Sequence, residues 1–368
     1  MILRPAIVVL GWLAGTWLLW SIPRVRAAAS GTVEAVEAVS VVIPARDEAA
    51  TLPGLLASLA GQHPAPAEIL VVDDHSTDDG AEVARRAGAT VVPAPPLPAG
   101  WTGKCWACWT GARAAGGSVL VFLDADTELD PGGLAPIVAE QAGRGGLVSV
   151  QPFHRTRRPY EALSAFLNIV PWMGLAAATP TAARRWSPGA FGPCLVTTRA
   201  DYRAIGGHEA VRGEVVEDVA LAARYRAAGL PVATLGGRGT ISFRMYPGGV
   251  SQLVEGWTKN IAGGAGASRP GAMALAVLWV AGCISAAAGL ANAAADLANA
   301  AASAAAYAAY AAQIAWMLAR LGRFPWWTAA AFPVPLAFFL AVFARSLVLT
   351  KVSGEVRWRG RAVSTKPR

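Results

Sequence analysis

The sequence predicts an α/β protein built on a doubly wound sheet, with segments apolar enough to enter a membrane at both ends. Three observations predict it. Short buried-strand runs alternate with helical patterns between residues 39 and 151; acidic residues directly follow three of those strands; and long apolar stretches occupy residues 6–22 and the chain beyond 273. The 368 residues are 54% hydrophobic and only 15% charged, too apolar for a wholly soluble chain and long enough for one large domain.

Residues 39–44 (Val-Ser-Val-Val-Ile-Pro) read as a buried strand, followed by Ala45-Arg46-Asp47-Glu48 and a helical pattern through Leu52, Leu55, Leu56 and Leu59. A second strand, 68–72, runs into Asp73-Asp74-His75-Ser76-Thr77-Asp78; a helix over 79–87 and a short strand over 90–92 follow. Strand, helix, strand, helix, strand at this spacing is doubly wound, and ligands of such sheets bind outside the carboxyl ends of the strands. A Pro-rich loop, 93–103, leads to Lys104 and a helix through Ala115. A Trp and a Lys at this glycine-flanked junction offer a ring to stack on a base or sugar and a cation for a phosphate; packing on the sheet is the alternative.

The run Val119-Leu120-Val121-Phe122-Leu123 stops abruptly at Asp124-Ala125-Asp126. In extended chain, residues i and i+2 point the same way, about 6–7 Å apart. Two such carboxylates can share a hard cation against a phosphate-bearing ligand. Taken alone the pair reads as a solvated turn before a helix over 131–141. Beside Arg46-Asp47-Glu48 and Asp73-Asp74 it becomes the third acidic strand end, which fold stability alone does not require. There is no glycine-rich turn after the first strand and no phosphate-binding loop of the Walker type, so neither a dinucleotide fold nor a P-loop is expected.

Further on come a strand over 147–151, the basic turn His154-Arg155-Thr156-Arg157-Arg158, an apolar segment over 160–180 interrupted by Pro171, which suits an interfacial helix, and a strand over 190–197. His208 follows a Gly-Gly turn and reads either as a hydrogen-bonded turn histidine or as a substrate or metal contact. Glu217 and Asp218 open a helix to Ala228, where a favourable interaction with the helix dipole is the structural alternative to catalysis. Trp257 and Lys259 precede the C-terminal apolar region, a position that also suits interface anchors.

Arg24 and Arg26 directly follow the first apolar stretch, favouring an N-terminal anchor over 1–26 with the next domain in the cytoplasm rather than a cleaved signal. A membrane region of two or three segments is expected over 271–350 and a basic cytoplasmic tail over 351–368, although three full crossings would put that tail outside. The net charge of +8 is concentrated at membrane edges and in a few loops, not in a stripe interleaved with aromatics, so lipid headgroups rather than nucleic acid are the expected partners. Cys105 and Cys108 form an isolated C-x-x-C, read as buried small hydrophobes.

The ordered set Pro-Ala-Arg-Asp-Glu (44–48), Val-Val-Asp-Asp-His-Ser-Thr-Asp (71–78), Asp-Ala-Asp (124–126), Glu-Asp (217–218) and Gly-Trp-Thr-Lys-Asn (256–260) resembles glycosyltransferase family 2 over residues 38–264. Finer motifs, among them Gly-Trp-Thr-Gly-Lys (100–104), Ala-Phe-Gly-Pro (190–193) and Phe-Arg-Met-Tyr (243–246), are similar to its carotenoid branch, the diaponeurosporenoate glycosyltransferases, with hopanoid-associated enzymes as neighbours.

The resemblance implies a GT-A fold, a Rossmann-like mixed sheet, with N- and C-terminal membrane helices. It implies an inverting transfer of a hexose, glucose in the first instance, from a UDP-sugar to a lipophilic terpenoid such as a carotenoid acid, with a hopanoid intermediate or polyprenyl phosphate as the alternative acceptor. It places Pro44, Ala45, Arg46, Glu48 and Asp74 at the nucleotide, Asp124 at the ribose, Asp126 on a Mg²⁺ or Mn²⁺ at the diphosphate, and Glu217–Asp218 at the general base. Where processive members carry Gln-x-x-Arg-Trp, this chain has Trp257 and Lys259, so polymer synthesis is not expected and both become donor contacts beside Lys104. A non-catalytic scaffold is the reading of another class, and the intact acids stand against it.

Overall fold

The computed structural model describes residues 3–26, 38–182, 186–214, 216–264, 268–293, 299–352, 355–358 and 361–364. After helix α1 (Leu3–Leu18), the chain alternates β1 (Val39–Ala45), α2 (Leu52–Ala60), β2 (Glu68–Asp73), α3 (Gly80–Arg86), β3 (Thr90–Pro93), α4 (Gly103–Ala114) and β4 (Val119–Leu123). There follow β5 (Thr127–Leu129), α5 (Leu134–Arg144), β6 (Leu147–Gln151), β7 (Phe153–Arg155), α6 (Ala165–Leu175), β8 (Cys194–Thr198), α7 (Arg199–Ala204), α8 (Glu217–Ala227), β9 (Val232–Gly236) and β10 (Ile241–Phe243). The remainder is α9 (Val250–Gly264), α10 (Pro270–Ala291), α11 (Ala300–Leu321), β11 (Gly322–Arg323), α12 (Trp326–Ala330), α13 (Pro333–Val352), β12 (Glu355–Trp358) and β13 (Arg361–Ser364). Two compact units result: Pro23–Phe153 with Trp186–Met245, and Met1–Ile22 with His154–Arg185 and Tyr246–Arg368.

The first unit is organised by strands buried on both faces. Along β1 and β4 the side chains alternate: Val41, Ile43, Val121 and Leu123 pack with Leu52, Leu55, Leu59, Ile137 and Val138 of α2 and α5. Val42, Leu120 and Phe122 pack on the other side with Ala107, Cys108, Leu221 and Tyr225 of α4 and α8. Period-two alternation with both faces covered is why these strands read as continuous apolar runs. The seven strands take the order β3-β2-β1-β4-β8-β6-β9. β1 pairs in parallel with β2 and β4, while β8 enters antiparallel to β4 and β6, making the sheet mixed. That antiparallel entry matters for function, because it brings the start of β8 beside the end of β4, with Leu123 opposite Cys194.

In this unit most expected elements stand within a few residues of their expected bounds, with two differences. The segment after Asp126 forms β5, paired antiparallel with β10 (Thr127 opposite Phe243), and the helix expected at 131–141 begins only at Leu134. The strand expected from 190 begins at Cys194, leaving residues 190–193 as a loop beside β4.

In the second unit, α1 covers 16 residues, about 24 Å at 1.5 Å per residue. This is shorter than the hydrocarbon core of about 30 Å that residues 6–22 were expected to cross. Gln313 of α11 ties this helix in: its amide nitrogen donates to the Trp12 carbonyl (2.7 Å) and to Thr16 Oγ1 (2.8 Å). Its oxygen accepts from the Trp279 indole of α10 (2.8 Å), and the Tyr310 hydroxyl donates to the Val8 carbonyl (2.9 Å). Buried polar groups between apolar helices need such partners. α10 and α13 are long and apolar enough to cross a membrane by length and composition. The segment expected at 160–180 is a 3-10 turn, Pro159–Ser164, running into α6.

Candidate active site

The carboxyl ends of β1, β2 and β4 put their acids in one region of the first unit, as parallel pairing requires: Ala45 lies opposite Asp73, and β4 continues into Asp124. Two side chains there adopt left-handed backbone, Asp47 (φ 53) and His75 (φ 57). For residues other than glycine this costs on the order of 1–3 kcal/mol each and requires compensation. The compensation is local: Asp47 Oδ1 accepts from the Thr77 amide (2.7 Å) and hydroxyl (3.0 Å), and the Asp47 amide donates to Ser76 Oγ (3.1 Å). Arg46 is thereby turned toward the end of β2, where its guanidinium donates to the Asp74 carbonyl (3.0 Å) and lies 3.8 Å from the buried Asp74 carboxylate. Pro44 and Ala45 close β1 beneath it, and Glu48 accepts from the Thr51 hydroxyl (2.6 Å).

Lys104 is the centre of the second cluster. It lies in the first turn of α4, whose cap, Thr102, accepts from the Cys105 amide. A cation at a helix N-terminus is opposed by the dipole. Two carboxylates offset this, with Asp124 Oδ1 and Glu217 Oε1 each 2.8 Å from Lys104 Nζ. Burial works against the Lys104 charge, yet Asp124 and Glu217 hold the ammonium well above its ordinary pKa. Asp218 is pushed up to about 7, by burial first and by Glu217 next. Its Oδ1 accepts from the Val219 amide (2.8 Å).

Asp126 is likewise pushed up to about 7, by burial and then by the charges of Asp124 and Glu48. A carboxyl group whose ionisation is opposed by burial and by neighbouring anions is one that a cation would relieve. Among the described residues, no three His, Cys, Asp or Glu side chains converge on a metal-sized point. A cation at Asp126 would therefore rest on one or two carboxylates and take its other ligands from phosphate and water, a pattern suited to Mg²⁺.

The first unit thus brings together Pro44, Ala45, Arg46, Glu48 and Asp74 in one group, and Lys104, Asp124, Asp126, Glu217 and Asp218 in the other. Trp257 and Lys259 belong to the second compact unit. There Trp257 is buried, donates to Ser164 Oγ (3.2 Å) and meets Tyr246 edge-on, and the donor role expected for both residues rests on the resemblance alone. His208 is the hydrogen-bonded structural histidine: it is buried, its ring is 2.8 Å from the Tyr202 hydroxyl, and burial lowers its pKa to about 4. Cys105 and Cys108 are free, buried thiols, that of Cys105 raised to about 12 by burial first.

A residue whose role was not legible is Gly192. A Cβ there would lie 3.1 Å from Asp218 Oδ2 and 3.2 Å from Lys104 Nζ. The adjoining Pro193 carbonyl accepts from the Asp124 amide (3.0 Å). Its only signal in the sequence was a glycine inside the Ala-Phe-Gly-Pro motif.

Residues 40–178 match the family model described as Glycosyl transferase family 2. The chain is 36% identical over 339 residues to a 4,4'-diaponeurosporenoate glycosyltransferase of Staphylococcus haemolyticus (strain JCSC1435), covering 90% of each chain. It is 35% identical over 333 residues to the protein of that name from Staphylococcus aureus (strain USA300), covering 89% of this chain and 88% of that one. Among solved structures, a mannosyltransferase from Pyrobaculum calidifontis, in complex with GDP-Man and Mn²⁺, is similar with a TM-score of 0.54 over 95% of both chains at 20% identity, a likeness of fold. The mixed sheet is accordingly of GT-A type. At this identity and coverage the chain belongs to glycosyl transferase family 2, and it is a glycosyltransferase.

Proposed function

We propose that the protein moves a hexose, glucose as first candidate, from a UDP-sugar to a lipophilic terpenoid acceptor, a carotenoid acid, with inversion and at a membrane surface. The observation carrying this reading is the convergence of Lys104, Asp124, Asp126, Glu217 and Asp218 at the strand ends, in a chain whose relatives at 35–36% identity are named 4,4'-diaponeurosporenoate glycosyltransferase.

Pro44, Ala45, Arg46, Glu48 and Asp74 form the nucleotide side, with Arg46 held across the ends of β1 and β2 by Asp74. Asp124 meets the ribose, and Asp126 is the residue that would hold Mg²⁺ or Mn²⁺. A cation bound there would supply Lewis-acid stabilisation of the departing diphosphate. In the transfer itself, an acceptor oxygen forms a bond to the anomeric carbon as the bond to the diphosphate breaks, its electron pair leaving with UDP. A hydroxyl acceptor would give its proton to the Glu217–Asp218 pair, help typically worth about 10²–10⁴ in rate. A carotenoid carboxyl group is already ionised at neutral pH, so toward it the pair serves orientation rather than proton removal.

Membrane residence is supported by α10 and α13, which leave Val277, Ile284, Val334, Leu340, Phe343, Leu347 and Val348 exposed. Surface of this kind is ordinary toward lipid and unusual toward water. The positive flank Arg24 and Arg26 favours a cytoplasmic catalytic unit.

Incubating membranes that contain the protein with labelled UDP-sugars, followed by mass spectrometry of the lipid extract, tests the reading. A hexosyl ester of a carotenoid acid is the expected product. Label appearing only on a hopanoid or a polyprenyl phosphate would overturn the acceptor, and absence of label from lipid with every UDP-sugar would overturn the function.

A further inference from the structure

Lys104, Asp124 and Glu217 come from three separate elements: the first turn of α4, the end of β4 and the first turn of α8. One atom, Lys104 Nζ, touches both carboxylates at 2.8 Å. An ammonium has three N–H donors, and this geometry commits two of them. The Glu217 side chain is only 8% exposed, so its charge needs a partner to be tolerable. Asp218, the next residue, lies outside ion-pair range of Lys104, and its Oδ1 takes the Val219 amide. Its Oδ2 faces the space kept open by Gly192, where a Cβ would come within 3.1 Å of it. Adjacent acids on one helix turn are thus treated differently.

We propose that Lys104 is the positioning residue of this site, pinning Glu217 to the donor-side end of β4 and leaving Asp218 as the carboxyl group that faces the acceptor. The proposal rests on the transferase reading above and refines it. Lys104 acts through Glu217: without the ammonium, Glu217 loses the cation that holds it beside β4 and swings or protonates, and the acceptor oxygen loses its fixed approach. A small displacement of this kind lowers turnover more than it lowers affinity. The groups facing Asp218 are Glu217 on its own helix, Lys104 from α4 and Asp124 from β4. Loss of the one cation among them makes every carboxyl group harder to ionise.

The test uses the full chain in membranes or detergent, with Lys104→Met, Lys104→Arg, Glu217→Gln and the Lys104→Met/Glu217→Gln pair. Lys104→Met should lower kcat by about 10²-fold, the effect of misplacing a reacting group, with donor Kd, measured directly with labelled UDP-sugar, changed less than about three-fold. The pH midpoint of the rate should move upward, and Lys104→Arg, which keeps the charge, should return it to the wild-type position. The double variant should be no slower than Lys104→Met alone, since residues acting as a unit are not additive.

Donor Kd weakening in step with kcat/KM would make Lys104 a donor contact only and overturn the proposal, as would additive effects in the cycle or an unmoved midpoint. Thermal melting decides the pin independently of turnover. Lys104→Met should lower the melting temperature and Glu217→Gln in that background should restore it; a double variant no more stable than Lys104→Met overturns the pin even if no acceptor is ever glycosylated. Absence of transfer by the wild type, with the melting cycle as expected, would instead count against the functional reading alone.

Discussion

Asp126 sits at the end of β4 with Asp124 and Glu48 as its charged neighbours, and their repulsion, after burial, pushes it up to about 7. A carboxyl group placed in this way is one that a bound cation would stabilise. Asp126→Ala should therefore lower transfer by about 10²–10³-fold, the size of losing one transition-state charge contact. The melting temperature should hold or rise, because a repelled carboxylate has gone. Turnover that survives this change would remove the metal role. On the acceptor side the pH dependence lies with Asp218. Its folded pKa of about 7 lies above the ordinary 3.8, so from about pH 4 to 7 the unfolded chain gives up this proton while the folded one keeps it, and the group's contribution to stability falls as pH rises through that window. Protonated, it can donate to an acceptor carboxylate; ionised, it repels one. Transfer to a carotenoid acid should then decline above about pH 7, and Asp218→Asn, which donates without titrating, should flatten the decline. A rate that climbs through pH 7 would point to a hydroxyl acceptor and proton removal. These acids were legible in the sequence because each interrupts an apolar run or opens a helix. The link between Lys104 and Glu217 was not, because it joins residues more than a hundred positions apart whose proximity depends on how α8 is set against the sheet.

At the scale of elements, the loop before α4 is what aims Lys104. Thr102 caps the helix through its side chain and donates its own amide to the Arg212 carbonyl (2.7 Å), tying the loop to the segment that leads into α8. Thr102→Ala should cost about 0.5–2 kcal/mol, the usual loss for such a cap. Because Lys104 lies in the turn that frays, activity should fall further than stability alone explains; a variant with lowered melting temperature and unchanged kcat would separate the cap from the site. α2 and β4 were readable from local pattern, leucines at 52, 55, 56 and 59 in one case and a five-residue apolar run in the other. β5 was not: its three residues become a strand only through pairing with Ile241–Phe243, a partner more than a hundred residues away. Residues 190–193 are the opposite case: Gly192 and Pro193 carried a local signal for the loop that precedes β8 beside Asp124.

At the scale of the whole molecule, the parallel core of the sheet followed from alternating strand and helix patterns, whereas the antiparallel insertion of β8, which makes the sheet mixed, is a long-range choice with no local signature. The apolar composition at both ends was equally plain, yet only in three dimensions does it divide into side chains that pack and side chains that face outward. On α10, Trp279 and Cys283 are fully buried while the neighbouring Val277 is 60% exposed and Ile284 44% exposed. In water such a face would favour aggregation; in lipid it is the expected solvent contact. Ile284→Arg tests which medium it meets, because the substitution leaves the buried face of α10 untouched. If α10 crosses the bilayer with Ile284 toward lipid, an arginine near its centre should oppose insertion by about 2.5–3.5 kcal/mol. The protein should then shift measurably from the membrane pellet to the soluble or degraded fraction after alkaline carbonate extraction, while Ile284→Leu stays in the pellet. If α10 instead packs in a water-soluble assembly, Ile284→Arg should improve solubility and leave the amount of folded protein unchanged, an outcome that would remove the membrane from the proposed function while leaving the chemistry of Asp126 and Lys104 intact.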